Sequence, residues 1–213
     1  PNKPSVVISN GIDTKEFKPQ DPGDFLKRQG LLRDKLNLVY VGRLYPEKSI
    51  DTLVRAIPNV VKIHPNTQVI IVGSGYLLEK LKKLTETVGM KNYIKFLGLV
   101  SNEDLVRTFN IADIFISPSL AELEGMTVLE AMACGKPIIT TNAKMNAARF
   151  FVSDNGFLFE QKNAMALSEK INILLSDEKL RTQMSVVSLK KSKQYDIHQS
   201  VAKLENLYYS LIK

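Results

Sequence analysis

The amino-acid sequence predicts an α/β fold: a Rossmann-like, doubly wound parallel sheet with helices on both faces and a helical C-terminal tail. Three observations carry that reading. Short β-branched runs alternate with longer helical stretches, the order that builds parallel sheets through crossover helices. Runs such as Val69-Ile70-Ile71-Val72 and Ile114-Phe115-Ile116 are apolar without interruption, as strands covered on both faces must be. Beyond residue 159 the pattern turns helical and stays so.

Strands are expected at residues 6–9, 38–41, 69–72, 94–97, 114–117, 138–141 and 157–159, rich in Val, Ile, Leu or Phe and bounded by Gly, Pro or Asn. Helices are expected at 50–63, 77–88, 103–110, 127–133 and 164–175, with a tail in two pieces at 177–192 and 198–212. Ser101 followed by Asp104 resembles a capping box opening the third helix. No internal repeat, low-complexity segment or linker divides the chain, so residues 1–213 read as one domain, long enough to bury a sizeable core.

A composition of 44% hydrophobic and 24% charged residues excludes a disordered tail, a collagen-like rod and a coiled coil. No run of about 18 uncharged apolar residues exists to form a transmembrane helix, and the opening residues carry no signal-peptide pattern. Cys134 is the only cysteine, so no internal disulfide forms, and a reducing, cytoplasmic compartment is expected. With His64 and His198 it is too little to assemble a zinc site, and no metal site is expected. The net charge of +7 lies wholly in the first half: residues 1–100 hold 16 Lys/Arg against 9 Asp/Glu, while 101–213 hold 13 of each. That asymmetry fits a solvated basic surface, or an anionic ligand, membrane face or nucleic acid.

Doubly wound sheets bind ligands at the carboxyl ends of their strands, beside helix N-termini. No loop matches the phosphate-binding Gly-x-x-x-x-Gly-Lys-Ser/Thr. Gly73-Ser74-Gly75 begins like a dinucleotide fingerprint, but Leu78 occupies the third glycine position, so the pair reads as a tight turn. No Asp-x-Asp pair is present to hold a metal against a nucleotide diphosphate. Two loops carry more. After the second expected strand, Gly42 allows a close turn, Arg43 offers a planar fork and Lys48 a mobile point charge, a pair suited to pyrophosphate. After the fifth, Glu122 and Glu130 are separated by seven residues with Gly125 between them. Glu122 is expected in the loop and Glu130 one turn into a helix starting near Gly125, whose free backbone N–H groups make an anion site. Glu130 there can accept from ribose hydroxyls, and Glu122 from sugar hydroxyls, or it can stabilise positive charge at a sugar carbon. The same residues also fit solvent-facing glutamates on a core helix packed by Met126, Met132 and Cys134.

The order Asn10-Gly11-Ile12-Asp13, Val41-Gly42-Arg43 with Glu47-Lys48, Gly73-Ser74-Gly75, Phe96-Leu97-Gly98-Leu99-Val100, Ala112-Asp113-Ile114-Phe115-Ile116-Ser117-Pro118-Ser119 and the block from Glu122 to Pro137 resembles a known family. It is similar to the C-terminal, donor-binding half of a retaining group 1 (family 4) glycosyltransferase of GT-B architecture, over roughly residues 5–160. The resemblance implies a hexosyltransferase taking a UDP-, GDP- or ADP-sugar as donor, with no cofactor and no metal. It implies that Arg43 and Lys48 hold the diphosphate, Glu122 the donor sugar and Glu130 the ribose. Amides around Gly125, Met126 and Thr127 would meet phosphate or sugar, and Leu99 and Val100 the base. A diphosphate oxygen would serve as base, in keeping with the absence of a catalytic histidine.

Two positions depart from the family pattern. Leu123 stands where glycine is frequent, and Glu124, where an aromatic or small residue is common, adds negative charge beside the phosphate site. The resemblance also implies that Pro1 lies at the cut edge of a longer enzyme. On that reading the acceptor half is absent, the chain enters its second half near residues 6–13, and helix 198–212 packs back towards the missing part. The acceptor would be a glycan, a lipid or another hydroxyl compound. Lys80, Lys82, Lys83, Lys91 and Lys95 would suit peripheral association with the inner face of a membrane, or ordinary solvated surface. Two readings stand beside this one: a GT-B-like nucleotide-sugar 2-epimerase, and a non-catalytic nucleotide-sugar-binding subunit. Nucleic-acid binding ranks lowest, because no recognised motif is present and the basic residues are not interleaved with aromatics.

Overall fold

β1 (Leu36–Val41) forms the middle of a parallel sheet, with β2 (Thr67–Val72) on one side and β4 (Ile114–Ser117) on the other. The computed structural model describes residues 5–32 and 34–212; Pro1 lies outside them. β3 (Ile94–Gly98), β6 (Ile138–Thr141) and β8 (Gly156–Phe159) complete six strands in the order β3-β2-β1-β4-β6-β8, all parallel.

Alternation along each strand divides the core in two. Leu38, Tyr40, Val69 and Ile71 pack with α2 (Ile50–Ile63), α3 (Leu78–Thr87) and α6 (Ala164–Ser176). Val39, Ile70 and Phe115 pack instead with α4 (Asn102–Ile111) and α5 (Met126–Ala133), joined by Phe25 of α1 (Phe25–Arg28). Helices therefore cover both faces, as the uninterrupted apolar runs require. α7 (Glu178–Ser192) follows α6 and packs on α5, and α8 (Ile197–Ile212) ends the chain. Ser101 Oγ accepts from the Asp104 N–H at 3.2 Å, which caps α4 as expected.

The strand expected at 6–9 does not form. Val6 and Val7 are 62% and 98% exposed, and residues 5–10 pair with no strand among the described residues. β-propensity makes a strand only where an edge is offered to it. Here the chain instead makes a bridge further on, between Ile12 and Asp196. Several elements were not expected: α1, the two-residue parallel strands β5 (Ala121–Glu122) and β7 (Met145–Asn146), and 3-10 turns at Pro46–Lys48, Ala147–Phe151 and Lys193–Tyr195.

Candidate functional site

The chain runs outward from β1 to β2 and β3, then crosses back to β4 on the other side. The order reverses between β1 and β4, so the loops leaving their carboxyl ends diverge and open a crevice. An open cleft of about 530 Å³ lies there, lined by Gly42, Arg43 and Lys48 from the β1 side and by Glu122, Gly125, Met126 and Thr127 from the β4 side.

Backbone contacts with the neighbouring loop hold the β1 loop in place. Gly42 N–H donates to the Val72 carbonyl at 3.0 Å, Leu44 N–H to Ser74 at 2.8 Å and Leu77 N–H to Leu44 at 3.2 Å. Gly73 makes this approach possible: its φ is +128°, and an added Cβ would lie 1.9 Å from the Gly42 carbonyl oxygen. The Gly73-Ser74-Gly75 sequence is thus a buttress for the Arg43 loop, in line with the tight-turn reading. Buried Tyr40 adds a prop beneath, its hydroxyl donating to the Arg43 carbonyl at 2.9 Å. Burial, and then the nearby carboxylates of Glu122 and Glu47, hold that phenol protonated far above its ordinary range.

The turn Pro46–Lys48 carries Lys48 towards the β4 side, where Leu120 N–H donates to the Glu47 carbonyl at 2.7 Å. Lys48 Nζ then lies 2.7 Å from Glu122 Oε1, with the two side chains only 13% and 16% exposed. Ser119 Oγ donates to the same oxygen at 2.8 Å. Arg43 is more open, 69% exposed, 3.3 Å from Glu47 and over the Tyr45 ring.

Glu122 sits on β5, not in a free loop as expected. β5 pairs with β7, Glu122 standing opposite Asn146. Asn146 is fully buried, and its Nδ2 donates to Thr140 Oγ1 at 3.0 Å and to Thr141 Oγ1 at 3.1 Å. Thr140 Oγ1 donates in turn to the Ser117 carbonyl at 2.8 Å, and Thr141 Oγ1 to that of Ser119 at 2.5 Å. This buried polar network ties β6 to the segment that presents Glu122, and sequence reasoning missed it. The polar run Thr140-Thr141-Asn142 ending an apolar strand was the available signal.

α5 begins at Met126 with Gly125 as its N-cap at φ +88°, as predicted. A Cβ on Gly125 would lie 2.5 Å from that of Ala148, so the residue both turns the chain and lets it approach the next element. The first N–H groups of α5 have no intrahelical acceptor, and Met126 and Thr127 line the cleft. Two cationic side chains, a carboxylate and a helix N-terminus therefore converge at the switch point of the sheet.

The sequence pattern of glycosyl transferases group 1 matches residues 24–188. The chain belongs to this family. It is 32% identical over 187 residues to the GDP-mannose-dependent monoacylated alpha-(1-6)-phosphatidylinositol monomannoside mannosyltransferase of Corynebacterium glutamicum, a match covering 83% of this chain and 48% of that protein. Among solved structures it is similar to Anabaena Alr3699/HepE in complex with UDP and glucose, at TM-score 0.86 and 24% identity, covering 96% of this chain and 56% of that one. It also matches the C-terminal domain of a glycosyl transferase group 1 family protein, LpcC, from Francisella tularensis, at TM-score 0.78 and 24% identity, covering 88% of this chain and all of that one. The fold is that of a GT-B C-terminal domain. The chain spans about half the length of the curated relatives it matches.

The remaining residues singled out in this group 1 glycosyltransferase are spread more widely. Glu130 lies on α5 behind the cleft rather than among its lining residues. Its Oε2 is buried with no partner among the described residues, and burial, with Glu16 nearby, pushes its carboxyl up to about 7. Leu99 is 78% exposed and Val100 packs partly against the α4–α5 core; neither lines the cleft. Glu124 is taken up by Ser9 and Asn10, so it does not stand as a bare charge at the cleft. Burial pushes the Cys134 thiol up to about 12, which leaves it protonated and unreactive. Of the basic cluster, Lys82 and Lys91 are paired with Glu79 and Glu86. Among the described residues no helix is long and apolar enough to cross a membrane.

Proposed function

We propose that this chain is the donor-binding half of a retaining glycosyltransferase, which transfers a hexose from a nucleotide-diphosphate sugar to an acceptor hydroxyl. The observation that carries this reading is the Lys48–Glu122 pair set beside the Gly125 end of α5 in the switch-point cleft. Lys48 and Arg43 supply positive charge where the departing diphosphate gathers negative charge, and the amides at Met126 and Thr127 add fixed donors. Glu122, with Oε1 already held by Lys48 and Ser119, offers Oε2 to the donor sugar. On this reading Glu130, which lies behind the lining residues, would take the ribose hydroxyls, giving its buried Oε2 the partner it lacks among the described residues.

On this reading a diphosphate oxygen takes the acceptor proton as the new bond forms on the face the leaving group vacates. The configuration at the sugar carbon is thereby retained. The donor needs no cofactor, and its charge is met by side-chain cations. On this reading the base would rest against Leu99 and Val100, the positions the family pattern assigns to it, beyond the residues that line the cleft. The spacing of exposed Val201, Leu204, Tyr208 and Leu211 on α8 suits packing against an acceptor-binding half, which would take a glycan or lipid. We place the enzyme in the cytoplasm, at the inner face of a membrane; retention on anionic vesicles at low salt, lost at high salt, tests that placement.

Calorimetric titration with UDP-glucose, GDP-mannose and ADP-glucose tests the donor reading. One of the three is expected to bind far more tightly than inorganic phosphate, and equal affinity for all four overturns the assignment. A 2-epimerase would change the donor sugar without any acceptor, so product analysis separates that alternative.

A further inference from the structure

We propose that Glu124 is a positioning residue that latches the donor-site loop to the incoming segment of the chain, an inference that rests on reading the cleft as a donor site. Glu124 immediately precedes Gly125, the N-cap of α5, and both Glu124 and Asn10 line the cleft. Its carboxylate gathers four donor contacts. Asn10 N–H reaches Oε1 at 3.2 Å and Oε2 at 3.1 Å, Asn10 Nδ2 reaches Oε2 at 2.6 Å, and Ser9 Oγ donates to Oε1. Ser9 Oγ in turn accepts from Gly11 N–H at 3.1 Å.

The segment it grips is anchored at its far end. Ile12 N–H donates to the Tyr195 carbonyl at 2.8 Å, Ile197 N–H donates to the Ile12 carbonyl at 2.9 Å, and Thr14 Oγ1 donates to Asp196. Residues 5–10 lack strand pairing, so the Glu124 contacts fasten Ser9 and Asn10 to the body of the domain. On the other side of the latch, a glycine in the left-handed region begins α5. Glycine widens the range of backbone conformations open to that junction, and the latch, with the close approach to Ala148, narrows it. The first turn of α5, with Met126 and Thr127 at the cleft wall, is thereby held in a fixed frame.

The two possible roles of this carboxylate have opposite signs. A negative charge beside a phosphate site weakens anion binding, so neutralising a residue that acts by charge alone strengthens it. A latch acts the other way. Both carboxylate oxygens accept, and a glutamine amide would set an NH2 against donors on Asn10 or Ser9, breaking the grip.

The test uses the full chain with inorganic pyrophosphate, UDP-glucose and GDP-mannose as titrants, together with amide hydrogen exchange at residues 125–127. For Glu124→Gln we expect affinity for the probe that binds to fall about fivefold or more, with faster exchange at those amides and a thermal midpoint near that of the unaltered chain. Asn10→Asp, which opposes two carboxylates, should weaken binding at least as much. The double change Asn10→Asp/Glu124→Gln should restore part of it, because the exchanged acid and amide can pair again. Unchanged or tighter binding by Glu124→Gln, or unchanged exchange, overturns the latch. If the unaltered chain binds none of the three probes, the donor-site reading fails, and the exchange rates still decide the latch.

Discussion

Lys48 and Glu122, 74 residues apart in sequence, meet at 2.7 Å between Nζ and Oε1. The pair joins the loop after β1 to the strand after β4, across the line where the sheet order reverses. Each partner is largely withdrawn from water, so removing one leaves the other charge poorly compensated. Lys48→Met and Glu122→Gln should each cost about 1–3 kcal/mol of stability. The double change should cost less than the sum, and urea denaturation in a double-mutant cycle measures the coupling.

Arg43 differs from Lys48 in being exposed and only loosely joined to Glu47. Arg43→Ala should therefore leave stability within about 0.5 kcal/mol. Its effect should appear in binding: weaker by about tenfold for a nucleoside diphosphate and unchanged for the nucleoside. Equal losses for both would remove the diphosphate from the proposed role of Arg43.

Glu130, with its carboxyl raised to about 7 by burial, carries a pH signature. Between the ordinary carboxylate range and pH 7 the folded chain binds more protons than the unfolded one, so stability falls as pH rises through that window. Glu130→Gln should abolish about 2–3 kcal/mol of that decline, measured as urea midpoints at pH 5 and pH 8. Ribose hydroxyls donating to Glu130 favour its charged form. Donor affinity should therefore rise from pH 6 to pH 8, and that rise should vanish in the same variant.

Gly73→Ala should destabilise the fold by about 3 kcal/mol or more, because the new methyl would overlap the Gly42 carbonyl in a backbone conformation that L residues avoid. Any folded fraction should bind nucleotide diphosphates weakly, since the displaced loop carries Arg43 and Lys48. Denaturation midpoints and titration of the same sample check both effects.

Local pattern was a good guide wherever an element makes its own case. α2 spans the expected residues 50–63, because its apolar positions repeat at the helical period and face the sheet. α5 begins where Gly125 signals a start. Residues 6–9 have the composition of a strand but no edge to pair with. β5 and β7 are too short for composition to reveal, and only their pairing and the Asn146 network define them. Leu99 and Val100 were placed by resemblance alone, and no local feature told that neither lines the cleft.

The sequence by itself determined the alternation of strands and helices, the helices on both faces and the residues of both cleft loops, since these follow from periodicity, chain order and motif. Tertiary structure decided how those residues are used. Strand order set the β1 loop opposite the β4 loop, so Lys48 spends its charge on Glu122 and not on open solvent. The anchored segment at Ile12 brought Asn10 to Glu124, turning an unwelcome charge into a satisfied one. Burial left Glu130 Oε2 with no donor among the described residues. Each outcome depends on distances between residues far apart in the chain, which only the packed fold fixes.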